Sequence, residues 1–436
     1  MTQVQAHAGT HPAAISDEEY QARLDRLAQH PALAETNTRL EPGALAGLQR
    51  MLLGLGVVGL GLTVAGGFVY DIRHALASYE VAVFGATAMA LGALFFVMVY
   101  NITNAAWSVT LRRQYENLAA MLPYCMGLVA VAVLIELISD GVLLRWIGMP
   151  EGQSHLLDAK RGYLNELFLI VRFLVYFAVW TFLATRMRGW SVEQDISGDR
   201  WLTRRCRYNS GWGLVAFALT TAFFAFDYLM GMDFRFYSTM WGVYYFAGAA
   251  FSSLAMLAVL FAYLKSRGKL GDLVNAEHLH DHGKLMFGFT VFWAYIAFGQ
   301  YFLIWYGNVP EETAYFVFRR TGGWALLGQV LIAVHFLLPF FLLISRVPKR
   351  NIRTLALIAL ILIVAHLLDM VWIIKPMVAA GEGHRLEPMS WWVDVAAVLG
   401  VFGLIGFFLM KKIGSAALVP MKDPRLPHAL SHRNYV

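Results

Sequence analysis

Ten runs of about twenty apolar residues, each nearly free of charge, leave this chain few ways to fold. They lie near 48–70, 79–103, 119–139, 163–184, 211–232, 237–264, 281–307, 324–346, 354–375 and 390–410. An α-helix needs about 20 residues to cross a hydrocarbon core of about 30 Å. Lipid also admits only structures whose backbone polar groups are satisfied internally. The chain therefore reads as an all-α polytopic membrane protein. Its 58% hydrophobic and 15% charged residues agree, since soluble domains are about one quarter charged. No stretch between the runs is long enough for a soluble domain. The organisation is an N-terminal arm (1–46), a ten-helix transmembrane domain (47–410) and a C-terminal tail (411–436).

The first apolar run begins only at Met51, behind a polar segment that contains acids. That is not the pattern of a cleavable signal or transit peptide. Within the arm, "SDEEYQARLDRLAQH" sets Ser16 and Glu19 in capping-box spacing, which predicts a short amphipathic surface helix. Loop charges set the orientation. With the N-terminus inside, 25 Lys and Arg fall on inner connections and termini and 9 on outer connections, so both termini are expected in the cytoplasm. Trp241, Trp305, Trp372, Trp391 and Trp392 then sit at outer ends, as an interfacial belt requires. The net charge of +6 reflects this anchoring. No basic cluster alternates with stacking aromatics, so the expected partner is the lipid membrane and not nucleic acid.

Cys125 and Cys206 are the only cysteines. They form no CxxC, no CxxCH and no iron–sulfur ligand set. No cofactor is expected to be covalently bound. A redox partner would be diffusible, as quinol or quinone is, or would sit on another protein.

Charge inside a bilayer is costly, so each such residue asks for a partner or a purpose. In the first half these residues are Glu136, Asp140, Glu166 and Arg172. Glu136 and Asp140 are four apart near the outer end of the third span, which predicts a shared face. Arg172, roughly 14 Å deep at 1.5 Å per residue, is expected to meet Glu136 or Glu166. Either a quinol headgroup site, a proton exit or a structural ion pair accounts for this group.

In the second half the residues are Asp227, His335, His366 and Asp369. His366 and Asp369 share a face at three-residue spacing, the arrangement of a carboxylate that orients an imidazole. His335 and His366 fall near the midplane on consecutive helices. These four read as a proton route, or as interhelical hydrogen bonds. A b-type haem held by the two histidines is a weaker reading. Pro339 leaves the His335 carbonyl without its helical donor. The run "EHLHDHGK" places His278, His280 and His282 before the seventh span, as a solvated loop or a proton-collecting surface; a metal site is a weaker reading, since alternate histidines share a face only in an extended segment. On the seventh span, Tyr301, Trp305 and Asn308 line one face with Gln300 beside it, and this polar face is expected to turn into the bundle.

Two segments carry a resemblance: "FDYLMGMDFRFYSTMWGVYYFAG" (226–248) and "DHGKLMFGFTVFWAYIAFGQYFLIWYGNVPEET" (281–313). They resemble the NrfD/PsrC-like membrane subunits of alternative complex III, a bacterial quinol:cytochrome c oxidoreductase, and the second of its two large paralogous subunits most closely. The resemblance implies two four-helix bundles flanked by a first and a last helix, in the bacterial inner membrane. It also implies a sister ten-helix subunit, an iron–sulfur subunit, haem c subunits and a terminal oxidase as partners. The sister subunit carries a quinol-site histidine and acid in its first bundle, whereas the first four spans here contain no histidine. That favours a proton-conducting or scaffolding role. A proton-coupled secondary transporter is the alternative from a different class.

Overall fold

The computed structural model describes residues 17–379 and 390–434. Ten helices in it are long and apolar enough to cross a membrane: α1 (Ala46–Val69), α2 (Ile72–Ile102), α3 (Ala106–Ile138), α4 (Glu166–Ser197), α5 (Trp201–Met230), α6 (Met240–Ser266), α7 (Ala276–Gly307), α8 (Gly322–Ile344), α9 (Ile352–Val378) and α10 (Trp391–Ile413). No strand occurs among the described residues. The chain is an all-α polytopic membrane protein, as its apolar runs predict.

Several helices outrun the apolar stretches that announce them. α4 continues through the arginine-rich segment to Ser197, and α3 begins with the polar "VTLRRQYENLA". Both extensions lie at the end of the molecule that carries the arm and the tail, called here the terminal end. Helix continues there because the charges have partners. Arg112 pairs with Glu116 at 2.9 Å and Asp423 at 2.7 Å, and Arg113 with Glu116 at 3.0 Å and Asp195 at 2.9 Å. Arg425, the third arginine of the network, is the second on Asp423, at 2.8 Å. The six groups sum to zero charge, so a network buried this deeply leaves no charge uncompensated.

The arm and tail close over that end. The helix Asp17–Ala28 forms as expected, with Ser16 outside the described residues, and buries Tyr20 and Leu24 on one face. The Leu418 amide donates to the Thr38 carbonyl (2.7 Å) and the Leu270 amide to that of Asn37 (3.1 Å).

α2, α3, α4 and α5 pack together, as do α6, α7, α8 and α9, and α2 meets α6 and α9 at the centre. α1 and α10 pack along each other's length. Glycine makes both close crossings possible. A Cβ on Gly59 would lie 2.4 Å from the Gly400 nitrogen, and one on Gly92 would lie 2.0 Å from the Ala249 oxygen. Small residues on α2 and α6 thus let the two backbones approach closely.

Proline shapes two of the inner helices. Around Pro339, α8 takes a π-helical turn over Ile332–Leu337, so the broken ladder expected at His335 is resolved by a change of register. Pro376 lies inside α9 and cannot donate to the Trp372 carbonyl. Arg319 supplies that bond instead: its Nε donates to the Trp372 carbonyl at 3.1 Å and its Nη2 to that of Ile373 at 2.7 Å.

Candidate functional site

Two buried aspartates organise the half of the molecule away from the arm and tail. The first is Asp227, on a π-helical turn over Phe226–Met230 that ends α5. Such turns admit an extra residue and re-aim side chains. Arg172 Nε donates to both of its oxygens, at 2.9 and 3.1 Å. Tyr176 donates to Oδ2 at 2.6 Å and Tyr163 to Oδ1 at 2.8 Å. The guanidinium carbon also lies 3.9 Å from the Tyr163 ring centroid, a cation–π contact. Asp227 is 1% exposed, and each oxygen accepts from both the arginine and a tyrosine.

This overturns two expectations. Arg172 pairs with Asp227 and not with Glu136 or Glu166, and Asp227 belongs to the first bundle, outside any second-half route. The π turn is the reason, since it carries Asp227 toward α4 in a way an unbroken α-helix need not. Glu136 is buried but accepts instead from the Leu143 and Leu144 amides at 2.9 to 3.2 Å, closing the loop after α3. Asp140 lies beyond the last residue of α3, exposed and in the left-handed region (φ 51°), so it shares no helical face with Glu136. Glu166 is exposed in the first turn of α4.

One intramembrane acid escapes a sequence reading that starts the second span at 79. α2 begins at Ile72, which places Glu80 eight residues in, 3% exposed, with Oε2 lacking a hydrogen-bond partner among the described residues. The same earlier start brings His74 into the first bundle, contrary to the expectation that it holds no histidine.

The second aspartate is Asp369 on α9, fully buried. Tyr244 of α6 donates to Oδ1 at 2.5 Å and Trp293 of α7 to Oδ2 at 3.2 Å. Among the described residues it makes no ion pair. His335 lies tilted against Trp293, ring centroids 3.5 Å apart, and Phe251 touches both His335 (4.4 Å) and His366 (5.6 Å). Neither ring nitrogen of either histidine is in hydrogen-bond geometry with a described residue. The expected His366–Asp369 bond is therefore absent. Tyr244 and Trp293 take the carboxylate instead, because aromatic donors from α6 and α7 reach it across the bundle. The structure does gather His335, His366 and Asp369 into one buried region, through shared aromatic neighbours.

The polar face predicted on α7 divides. Gln300 turns inward and accepts from Ser238 Oγ at 2.6 Å, and Tyr301 packs its ring against Phe316. Trp305 points outward, and Asn308 is the left-handed C-cap of the helix (φ 49°). The face is interrupted because the helix ends at Gly307. Trp241, expected in the interfacial belt, is buried beside Tyr244.

The histidine run is helical and not a loop. Asn275 caps α7 in a capping box with His278. His282 is buried, 2.8 Å from Tyr115 Oη through Nδ1 and 2.9 Å from the Leu254 carbonyl through Nε2. A carbonyl only accepts, so Nε2 carries the proton and Tyr115 donates to Nδ1. Sequence reading missed this bond because Tyr115 lies in a segment taken for a loop.

No family model matches the chain, and no curated protein matches it. Fold and site together define a class: a ten-helix, multi-pass membrane protein that buries Asp227 with an arginine and Asp369 with no ion pair among the described residues.

Proposed function

We propose that this chain is a membrane subunit of a bacterial quinol:cytochrome c oxidoreductase of the alternative complex III type, and that its second bundle carries protons in support of quinol oxidation. The observation that carries this reading is the region around Asp369: a buried carboxylate with no ion pair among the described residues, next to two buried histidines whose ring nitrogens are in hydrogen-bond geometry with none of them. Buried polar atoms of that kind are usually satisfied by ordered water, and water between titratable groups is the material of a proton relay.

The resemblance of residues 226–248 and 281–313 supports the same reading. These segments supply Tyr244 and Trp293 to Asp369, and Ser238 and Gln300 bond the two segments to each other. On this reading the termini face the cytoplasm of the inner membrane. The iron–sulfur and haem c centres belong to partner subunits, beside a sister ten-helix subunit and a terminal oxidase. Any quinol or quinone that visits this chain is bound non-covalently.

A second reading, a proton-coupled secondary transporter, draws on the π-helical turns at Asp227 and His335. Transporter sites, however, use half-helices with unwound backbone between them, whereas here α8 runs on through its turn and the turn at Asp227 ends α5.

The test is Asp369→Asn, which keeps size and one acceptor oxygen but removes the titrating group. The expected variant assembles with its partner subunits and still passes electrons from quinol, with fewer protons released per electron. An unchanged proton-to-electron ratio would reduce Asp369 to a packing residue. Purification of the chain without iron–sulfur or haem c partners would overturn the wider assignment.

A further inference from the structure

A cavity of about 620 Å³ opens between α2, α9 and α10, where the chain passes from α1 into α2. Its two ends differ in chemistry. At one end stand Asp71, Arg73, His74, Lys375 and Asp394. Lys375 is 5% exposed, with Nζ 2.6 Å from Ser78 Oγ, 2.8 Å from Asp394 Oδ1 and 3.2 Å from His74 Nε2. Away from it the wall is apolar, built by Val364, Leu367 and Val371 of α9 and by Val395 and Leu399 of α10. Trp324 also lines the cavity, and its Nε1 has no acceptor among the described residues.

Length and level identify an occupant. From Lys375 to Val364 is eleven residues of α9, about 16 Å at 1.5 Å per residue. One leaflet of a hydrocarbon core about 30 Å thick is about as deep. The polar end lies level with Tyr70, Trp391 and Trp392, of which Trp392 donates to Tyr70 Oη at 3.1 Å. Such aromatics mark the headgroup region of a bilayer.

We propose that this cavity binds one phospholipid of the membrane. Its phosphodiester head lies at the Arg73–His74–Lys375–Asp394 end, and an acyl chain runs along α9 and α10. The polar end offers both signs of charge, Arg73 and Lys375 against Asp71 and Asp394. That suits a zwitterionic head better than the uncharged ring of a quinone. The occupant joins α10 to the inner helices and so fills a seam in the protein. This inference rests only on the membrane class and is independent of the proposed respiratory function.

The test is to extract the protein, with whatever it is assembled with, in detergent and wash it extensively. Retained lipid is then identified by native mass spectrometry and phosphate analysis. Val395→Trp fills the apolar wall, and Arg73→Ala removes a head contact. Both positions are exposed, and neither change removes Asp394, Ser78 or His74, the partners of Lys375. Wild type should retain a phospholipid, and each variant should lose it several-fold with unchanged yield. Equal retention in all three proteins, a retained quinone, or an adventitious detergent molecule only would each overturn the proposal.

Discussion

Asp227 and Asp369 are equally buried, yet their surroundings answer the charge in opposite ways. Asp227 has Arg172, with two tyrosines completing its shell. Asp369 has a tyrosine and an indole, and no cation among the described residues. In low dielectric an ion pair is a committed arrangement, since removing one member strands the other. A carboxylate held by neutral donors has no such commitment and exchanges a proton without breaking a pair. One bundle is thereby fixed at its far end, and the other keeps a titratable group among histidines.

The largest expected effect breaks the first site. Arg172→Leu leaves Asp227 without its cation at a cost of about 3–5 kcal/mol, read as lost yield and a lower unfolding temperature in detergent. The double variant Arg172→Leu/Asp227→Asn should recover much of that loss. Equal damage from single and double variants would mean that Asp227 does not depend on the pair.

Asp423 offers a carboxylate with arginine company like that of Asp227, but outside the spans, where it can be titrated. Burial pushes its carboxyl up, but Arg112 and Arg425 outweigh that and hold it below the usual carboxylate range. A depressed folded value means its contribution is complete above the unfolded value, about 3.9 for Asp, and fades as pH falls further. Hydrogen exchange across residues 417–430, corrected for intrinsic rates, should stay flat from pH 7 to about pH 4 and rise below it. Asp423→Asn should raise exchange at pH 7, consistent with the loss of charged hydrogen bonds of about 1.5–3 kcal/mol each. A tail whose exchange already rises well above about pH 4 would show that Asp423 does not control it.

Arg319 is the mirror image of Asp369, a buried cation held by carbonyls and by the Tyr315 ring, with no carboxylate paired to it among the described residues. Arg319→Leu should cost about 1–3 kcal/mol, the penalty for buried acceptors left unmade. Pro376→Ala restores a donor to the Trp372 carbonyl and should make Arg319→Leu less damaging in the double variant. Purely additive effects would show that Arg319 acts through the Tyr315 stack alone.

How much of this could be read beforehand depends on the kind of signal. The spans were legible because each apolar run is long enough to force helix in lipid. The depth of Arg172, His335, His366 and Asp369 followed from the same runs, since depth along a helix is fixed by counting. Partners were not legible. The choice of Asp227 over Glu136 for Arg172 depends on a π turn that no local residue announces, and Asp369 is bonded by aromatics 125 and 76 positions away. Boundaries failed where polar helix continues past apolar helix, as at Glu80, His74 and Tyr115. There tertiary ion pairs and hydrogen bonds, not composition, decide where the helix stops.

The smallest expected effect sharpens the comparison most. Asp369→Asn keeps a carbonyl acceptor for Tyr244 or Trp293 and strands no charge. Its cost should be that of one altered neutral hydrogen bond, about 0.5–1.5 kcal/mol. Asp227→Asn strands Arg172 and should cost visibly more in the same unfolding assay. The difference between the two variants isolates the ion pair, because both residues are equally buried and both accept from tyrosine. If Asp369→Asn destabilises as much as Asp227→Asn, the second site is held by its charge as firmly as the first. Asp369 would then be a structural anchor, and the proton-carrying role would have to move to groups such as His335 and His366.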